Sequence, residues 1–267
     1  RQEYVRSNYW ANDTPDSYFR FVGHDTDFKS IPFAHGYHLG NVLVDHETLY
    51  VTATSMWDGD RVEIFSSTDM EHWKSGNALS LSGYGIFNTS LCRGPDGYVL
   101  MFEVGKPPEV AGRRFTARFA TSTDMKHWEL TSPECTYAKD RYTAPHCLRF
   151  HDGFFYNFYL EALDTGYEQY VVRSRDLIDW ETSPLNPVLR ASDDDRRIAN
   201  PKLQPRQRER ILTATNINNS DIDFCEFEGR LIINYSWGNQ QGVEHLAEAE
   251  FDGTLAEFLT GWFPAKE

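Results

Sequence analysis

The chain has little positive charge. It carries 26 Lys and Arg against 40 Asp and Glu, a formal net charge of −14, and no basic cluster large enough to form a footprint. "DDDRR" (Asp193 to Arg197) and "PRQRER" (Pro205 to Arg210) are local exceptions in a negative background. Such a field repels phosphate surfaces, so nucleic acid and anionic membranes are not expected partners. Cysteine is scarce as well: Cys92, Cys135, Cys147 and Cys225 show no CxxC or metal-type spacing. They read as small buried hydrophobes in a reducing compartment. No run of 18 apolar residues occurs, so no membrane-spanning helix is expected. P-loop, GxGxxG, HExxH, GxSxG and EF-hand patterns are all missing, which argues against nucleotide, zinc-protease and serine-hydrolase chemistry. The expected location is cytoplasmic, with periplasm or secretion left open because the chain starts at Arg1 rather than Met.

What is present is aromatic residues and repetition. Phe, Trp and Tyr make up 15% of the chain, a composition suited to packed sheets. "SSTDMEHW", "ATSTDMKHW" and "VVRSRDLIDW" end at Trp73, Trp128 and Trp180, a period of about 50 residues that points to propeller blades. Each phrase follows alternating apolar runs separated by turn signals, "DHET", "GPDG" and "HDG", and a fourth unit has "FEG" but lacks the phrase. Asp-Gly and related pairs supply the positive φ that a tight hairpin needs. The expectation is one all-β domain over residues 1–267, a five-bladed β-propeller of four-stranded antiparallel blades. Residues 1–34 are expected to contribute to the closing blade, and 183–218 to form a long excursion near the central cavity. The Ser-x-Asp phrase is read as scaffold, its Asp turning the chain and its Trp packing the blade edge on a neighbour.

Over roughly residues 35–262, blades closed by "S-x-D-[ML]-x-x-W" resemble the propeller glycosidases of glycoside hydrolase family 43 and relatives such as families 32, 62, 117 and 130. The resemblance implies a five-bladed fold, a saccharide substrate and an acidic trio at the starts of the first three innermost strands. Aligned on the turn glycines, those positions fall near His38 to Gly40, at Asn88, and at Thr143 or Ala144, none of them acidic. The trio does not carry over.

Candidates for chemistry are therefore sought elsewhere. Asp221 and Asp223 in "NNSDIDFCEF" start the fourth inner strand two residues apart, which predicts one shared face, mutual repulsion and one raised pKa, as a general acid requires. His146 and His38 start the third and first inner strands. Family 117 relatives are thought to use a histidine acid, which adds His146 to the catalytic candidates. Glu161 and Glu103 end second strands, at a cavity rim or in an outer salt bridge. Arg141 either clamps an acidic substrate group or pairs with Asp140 or Glu134. Asn88 occupies a position matched to the family's second acid. "YSWGNQQGVEH" joins Trp237 to Asn239, Gln240 and Glu244, a ring beside amides that suits a pyranose. His24, His35 and His151 read as turn residues. No cofactor is expected, with a divalent metal between His38, His146 and Asp221 left open.

The leading reading is an exo-acting glycoside hydrolase cleaving a terminal sugar in a central funnel. If it inverts, its two acting groups are expected about 6.5–9.5 Å apart. The alternatives are elimination on uronic-acid sugars, with His146 as base and Arg141 on the carboxylate, or a sugar-binding propeller without catalysis.

Overall fold

Four antiparallel sheets follow one another along the chain in the computed structural model, which describes residues 2–4, 17–23 and 27–265. Blade I comprises His38–Asp45, Thr48–Thr54, Arg61–Ser67 and Lys74–Ser80. Blade II comprises Gly85–Gly94, Gly97–Lys106, Thr116–Ser122 and Glu129–Leu130, with Thr136–Tyr137 also paired to its third strand. Blade III is His146–His151, Phe154–Leu163, Gly166–Ser174 and Glu181–Thr182, and blade IV is Ser220–Phe227, Arg230–Gly238 and Glu244–Phe251. The inner hairpins turn where the sequence predicts, with positive φ at Asp152 and Gly153 and at Glu228 and Gly229.

The repeated phrase is a self-capping turn. Ser122 Oγ accepts the amides of Asp124 and Met125, while Asp124 Oδ1 accepts those of Lys126 and His127, all at 2.8–3.2 Å. Ser67 with Asp69 and Ser174 with Asp176 repeat the pattern. These amide bonds hold the Asp69, Asp124 and Asp176 carboxyls below the usual carboxylate range. The Trp of the second and third phrases then packs one blade back. Trp180 donates to the carbonyl of Thr136 at 2.9 Å and packs on Phe119 of blade II, and Trp128 joins the apolar cluster between blades I and II.

The inner strands are stitched through polar side chains. Asn41 Oδ1 accepts the amide of Leu91 at 3.0 Å, and Ser90 Oγ that of Leu148 at 2.9 Å. Arg149 pairs with Asp223, and Asn41 Nδ2 donates to Asp223 Oδ2 at 3.1 Å, linking blade IV to blade I.

Two expectations change. Four blades rather than five form among the described residues, and the fourth has three strands. Of residues 1–34, those described form the pair Gln2–Tyr4 with Ser17–Phe19 and the isolated bridges Phe19–Phe33 and Val22–Lys29. Part of that expectation, His24 included, lies outside the described residues. The 183–218 excursion lines the outer edge of blade III, where Gln169 donates to the carbonyl of Leu189 and Tyr167 to that of Ile217, both at 2.8 Å. Its helix Pro205–Thr213 then seats Ile211 on Tyr235, Trp237 and Val243 of blade IV. Asp195 within it accepts Asn219 Nδ2 at 3.2 Å, so the excursion also reaches the end where the inner strand of blade IV begins.

Candidate functional site

Three of the four inner strands begin with a bulge. Register slips between His38 and Asn41, between Ile86 and Thr89, and between Ser220 and Asp223. A bulge opposes two residues to one and re-aims a side chain at the rim. In blade I this puts Leu39 at φ 52°, and in blade IV it puts Asp221 at φ 55°. Asp221 is thereby turned out into solvent, whereas Asp223 resumes the ladder opposite Asn234. The expected shared face of Asp221 and Asp223 is thus broken, and Asp223 faces a cation, Arg149, rather than another carboxylate.

Asp221 instead shares the rim with Glu244, which opens the third strand of blade IV opposite Gly238. Partial burial raises the Glu244 carboxyl above its usual range, and the charge of Asp221 adds to the rise. Hydrogen bonds from Asn218 and the Gln240 amide oppose it. Asn218 Nδ2 donates to Glu244 Oε2 at 3.0 Å, and Gln240 Nε2 donates to Asn218 Oδ1 at 3.1 Å. Ser220 Oγ bridges Asn218 Oδ1 at 2.9 Å and Asp221 Oδ2 at 2.5 Å. Tyr142 reaches over from the loop before blade III. Packing first, then the charges of Glu103, Tyr167 and Asp221, push its hydroxyl well above the usual tyrosine value. These groups converge at one end of the molecule, and among them are two exposed carboxyls, Glu244 bonded by Asn218 and Asp221 by Ser220.

Beneath lies an enclosed network. Glu103 Oε1 accepts both the backbone amide of His146 (3.0 Å) and its Nδ1 (2.8 Å), and Glu103 Oε2 accepts Asn88 Nδ2 at 2.8 Å. His146 Nε2 meets Thr143 Oγ1 at 3.0 Å. Neither the Glu103 nor the His146 side chain is exposed. Burial raises the Glu103 carboxyl, against the His146 bonds that lower it. The network brings together Asn88, Glu103 and His146, which the sequence named separately, and it leaves the Asn88 amide at the bulge of blade II.

The other candidates separate. Arg141 donates to Glu161 Oε1 at 2.8 Å and to the Tyr137 hydroxyl at 2.9 Å, so these two candidates occupy each other. Trp237 is 2% exposed beneath Ile211 and Val243, so its ring offers no face to a sugar. Asn239 Oδ1 accepts the amides of Gln241 and Val243 and serves the turn. His38 is buried, and burial pushes its imidazole down to about 4. His151 ends an inner strand rather than forming a turn, and Cys225 is exposed while the other three cysteines are buried. Among the described residues no group of three His, Cys, Asp or Glu is placed to hold a metal ion.

Glu244 and Tyr142 are the site residues the sequence did not single out as titrating groups. "QQGVEH" marks Glu244 only as a reader of hydroxyls. Its approach to Asp221 depends on strand pairing across the Trp237 hairpin, for which the local pattern carries no signal.

No protein-family model matches the chain, and no curated protein matches it in sequence. Solved structures do match in shape. A GH32 beta-fructofuranosidase from Bombyx mori aligns at TM-score 0.53 and 16% identity over 80% of this chain and 48% of its own. A GH43 protein from Bacillus licheniformis aligns at TM-score 0.56 and 16% identity over 90% and 48%. A family 117 glycoside hydrolase from Zobellia galactanivorans aligns at TM-score 0.50 and 12% identity over 90% and 75%. The chain spans about half the length of the first two. It therefore has the all-β propeller fold of the glycosidases of families 32, 43 and 117.

Proposed function

We propose that the chain is a glycoside hydrolase that removes a terminal sugar, with Glu244 as general acid and Asp221 as its carboxylate partner. The observation that carries this reading is the rim pair: two exposed carboxyls within electrostatic reach of each other, Asp221 on the bulge and Glu244 held by Asn218, with the Glu244 carboxyl raised first by partial burial and also by the Asp221 charge. Glu244 donates its proton to the glycosidic oxygen as the bond to the anomeric carbon breaks. Water adds to that carbon, and Asp221 takes the proton the water releases. Asn218 and Gln240 hold Glu244, and Asn88, with its amide fixed by Glu103, is read as a contact to a sugar hydroxyl. A mutant of the Bombyx mori enzyme is solved in complex with sucrose, which supports a saccharide as the class of substrate to try first.

Elimination on uronic-acid sugars has less support. Its base, His146, has both ring nitrogens engaged out of solvent, and its cation, Arg141, is held by Glu161. For the closing of the ring, the Trp repeat favours residues 17–23 and 27–33 as part of a fifth blade. Trp180 and Trp128 each pack one blade back, and Trp73 stacks on Phe33 at 3.7 Å in the same way.

The test is single replacement, Asp221→Asn and Glu244→Gln, assayed on a panel of aryl glycosides. Each is expected to lower kcat/KM by about 10²- to 10⁴-fold. A raised acid loses its proton as pH climbs through its pKa, so Glu244 sets the alkaline limb of the rate profile. Removing the Asp221 charge lowers that pKa, and residual activity in Asp221→Asn should fall off at lower pH than in wild type. Wild-type turnover in both variants overturns the assignment.

A further inference from the structure

A second feature of the same end is apolar, and the hydrolytic mechanism makes no use of it. Four rings run along the rim from blade I toward blade III. Trp57 lies 5.0 Å from Phe87 and 6.4 Å from Phe115, Phe87 lies 4.6 Å from Phe115, and Phe115 lies 5.5 Å from Tyr142, all at steep interplanar angles. Phe87 is fully buried beneath, while Trp57 and Phe115 are partly exposed and Tyr142 is 42% exposed. The three upper rings form a ridge whose last member stands within electrostatic reach of Asp221 and Glu103.

The ridge is built, not left over. Phe115 sits at φ 73°, a region that a bulky side chain occupies only where its surroundings hold it. The surroundings are on hand: the Phe115 amide donates to the carbonyl of Val104 at 2.9 Å, and the next residue, Thr116, bonds through its hydroxyl to the carbonyls of Ala111 and, at 2.9 Å, of Arg113. Arg114 lies over the rings of Phe87 and Phe115 at 5.1 and 5.3 Å and donates to Asp58 at 3.2 Å, so it stiffens the ridge from one side. A rigid row of ring faces and edges beside a polar, carboxylate-bearing rim is the combination that takes a sugar ring, apolar on its face and hydroxylated at its edge.

We infer that the Trp57–Phe115–Tyr142 ridge is a binding platform for a second sugar unit, the one on the far side of the bond from the terminal sugar. The substrate is then a saccharide of at least two units, with one ring at Asp221 and Glu244 and the next on Phe115. This rests on the reading of the rim as a glycosidase site, and its test is separable from that reading. Of the three upper rings, only Tyr142 also belongs to the rim. Trp57 and Phe115 therefore report on the platform alone.

The experiment measures binding of sucrose, xylobiose, arabinobiose and cellobiose, and of their component monosaccharides, by calorimetry in Glu244→Gln protein, with product assayed at the end of each titration and any disaccharide that is consumed left out. At least one disaccharide is expected to bind about tenfold or more tightly than its monosaccharides. Adding Phe115→Gly should bring that ratio near one. Glycine accepts φ 73° without strain, so this change removes the ring and keeps the loop. If Phe115→Gly shifts the unfolding midpoint, Trp57→Ala supplies the same comparison. Equal affinity for one and two units, a ratio that survives loss of either ring, or no binding by any of the four disaccharides overturns the platform. Undiminished hydrolysis in Asp221→Asn and Glu244→Gln, together with loss of the ratio in Phe115→Gly, leaves the platform standing and removes the catalytic assignment instead.

Discussion

At the scale of single residues, the molecule puts titratable groups in environments that contrast sharply over short chain distances. His38 and Leu39 are neighbours, as are Ser220 and Asp221, yet burial closes over the first of each pair and the bulge turns the chain at the second. His38 has a measurable consequence for stability. Its imidazole is pushed down to about 4, so the folded protein resists protonating it while the unfolded chain takes up a proton below about 6.5. Its contribution is complete above that value and is lost as pH falls toward about 4, at up to about 1.4 kcal/mol per pH unit. Urea denaturation at pH 7 and pH 5 should therefore show a steeper loss in wild type than in His38→Gln, and identical slopes would refute the argument. At this scale the sequence was partly legible. Composition and chain position marked His38, His146, Glu103 and Asp221 as residues worth attention. Their partners were not legible, since Glu103 reaches His146 across two blades and Glu244 meets Asp221 only through the pairing of strands.

At the scale of elements, what is local could be read and what depends on a facing strand could not. The Ser-x-Asp turns and the Asp152–Gly153 and Glu228–Gly229 hairpins follow from residues within a few positions of one another, and the structure has them where the sequence put them. The bulges at His38–Asn41 and Ser220–Asp223 are set by how the strand meets its neighbour, and simple alternation therefore misjudged Asp221 and Asp223. One glycine shows how tightly such a bulge is fitted. A Cβ on Gly40 would fall 2.1 Å from the carbonyl oxygen of Thr52 and 2.9 Å from the ring of Phe19, whereas one on Gly76 would meet open space. Gly40→Ala should cost on the order of 1–3 kcal/mol of stability. Gly76→Ala should stay within about 0.5 kcal/mol. Denaturant midpoints at unchanged m-value check both, and equal midpoints would mean the bulge yields freely.

At the scale of the whole molecule, the repeat predicted the architecture, and the counting of blades went astray where the repeat stops. The fourth unit lost its Trp phrase, and residues 1–34 carry too few alternating positions to announce a sheet. Tertiary packing marks their place all the same. Phe33 lies flat on Trp73 at 3.7 Å, and Phe21 stacks on Trp73 at 6.0 Å. Phe19, Phe33 and Phe65 share one buried cluster with Val51 and Ala53. If this segment closes the ring, Phe33→Ala should destabilise the entire cooperative unit by about 3–5 kcal/mol. A thermal or denaturant transition that stays put would make the segment a dispensable appendage.

The strand registers put the Ser-x-Asp turns of blades I to III at the opposite end from the rim, since Ser67 pairs with Leu49 and His38 with Thr54. The scaffold turns and the proposed site thus occupy opposite poles of the molecule, linked by the strands. Sequence at one pole can then change with little penalty at the other, and the loops of the rim can vary while the blades stay recognisable. Alignments at 16% identity or less over nine-tenths of the chain are what such a division of labour leaves behind.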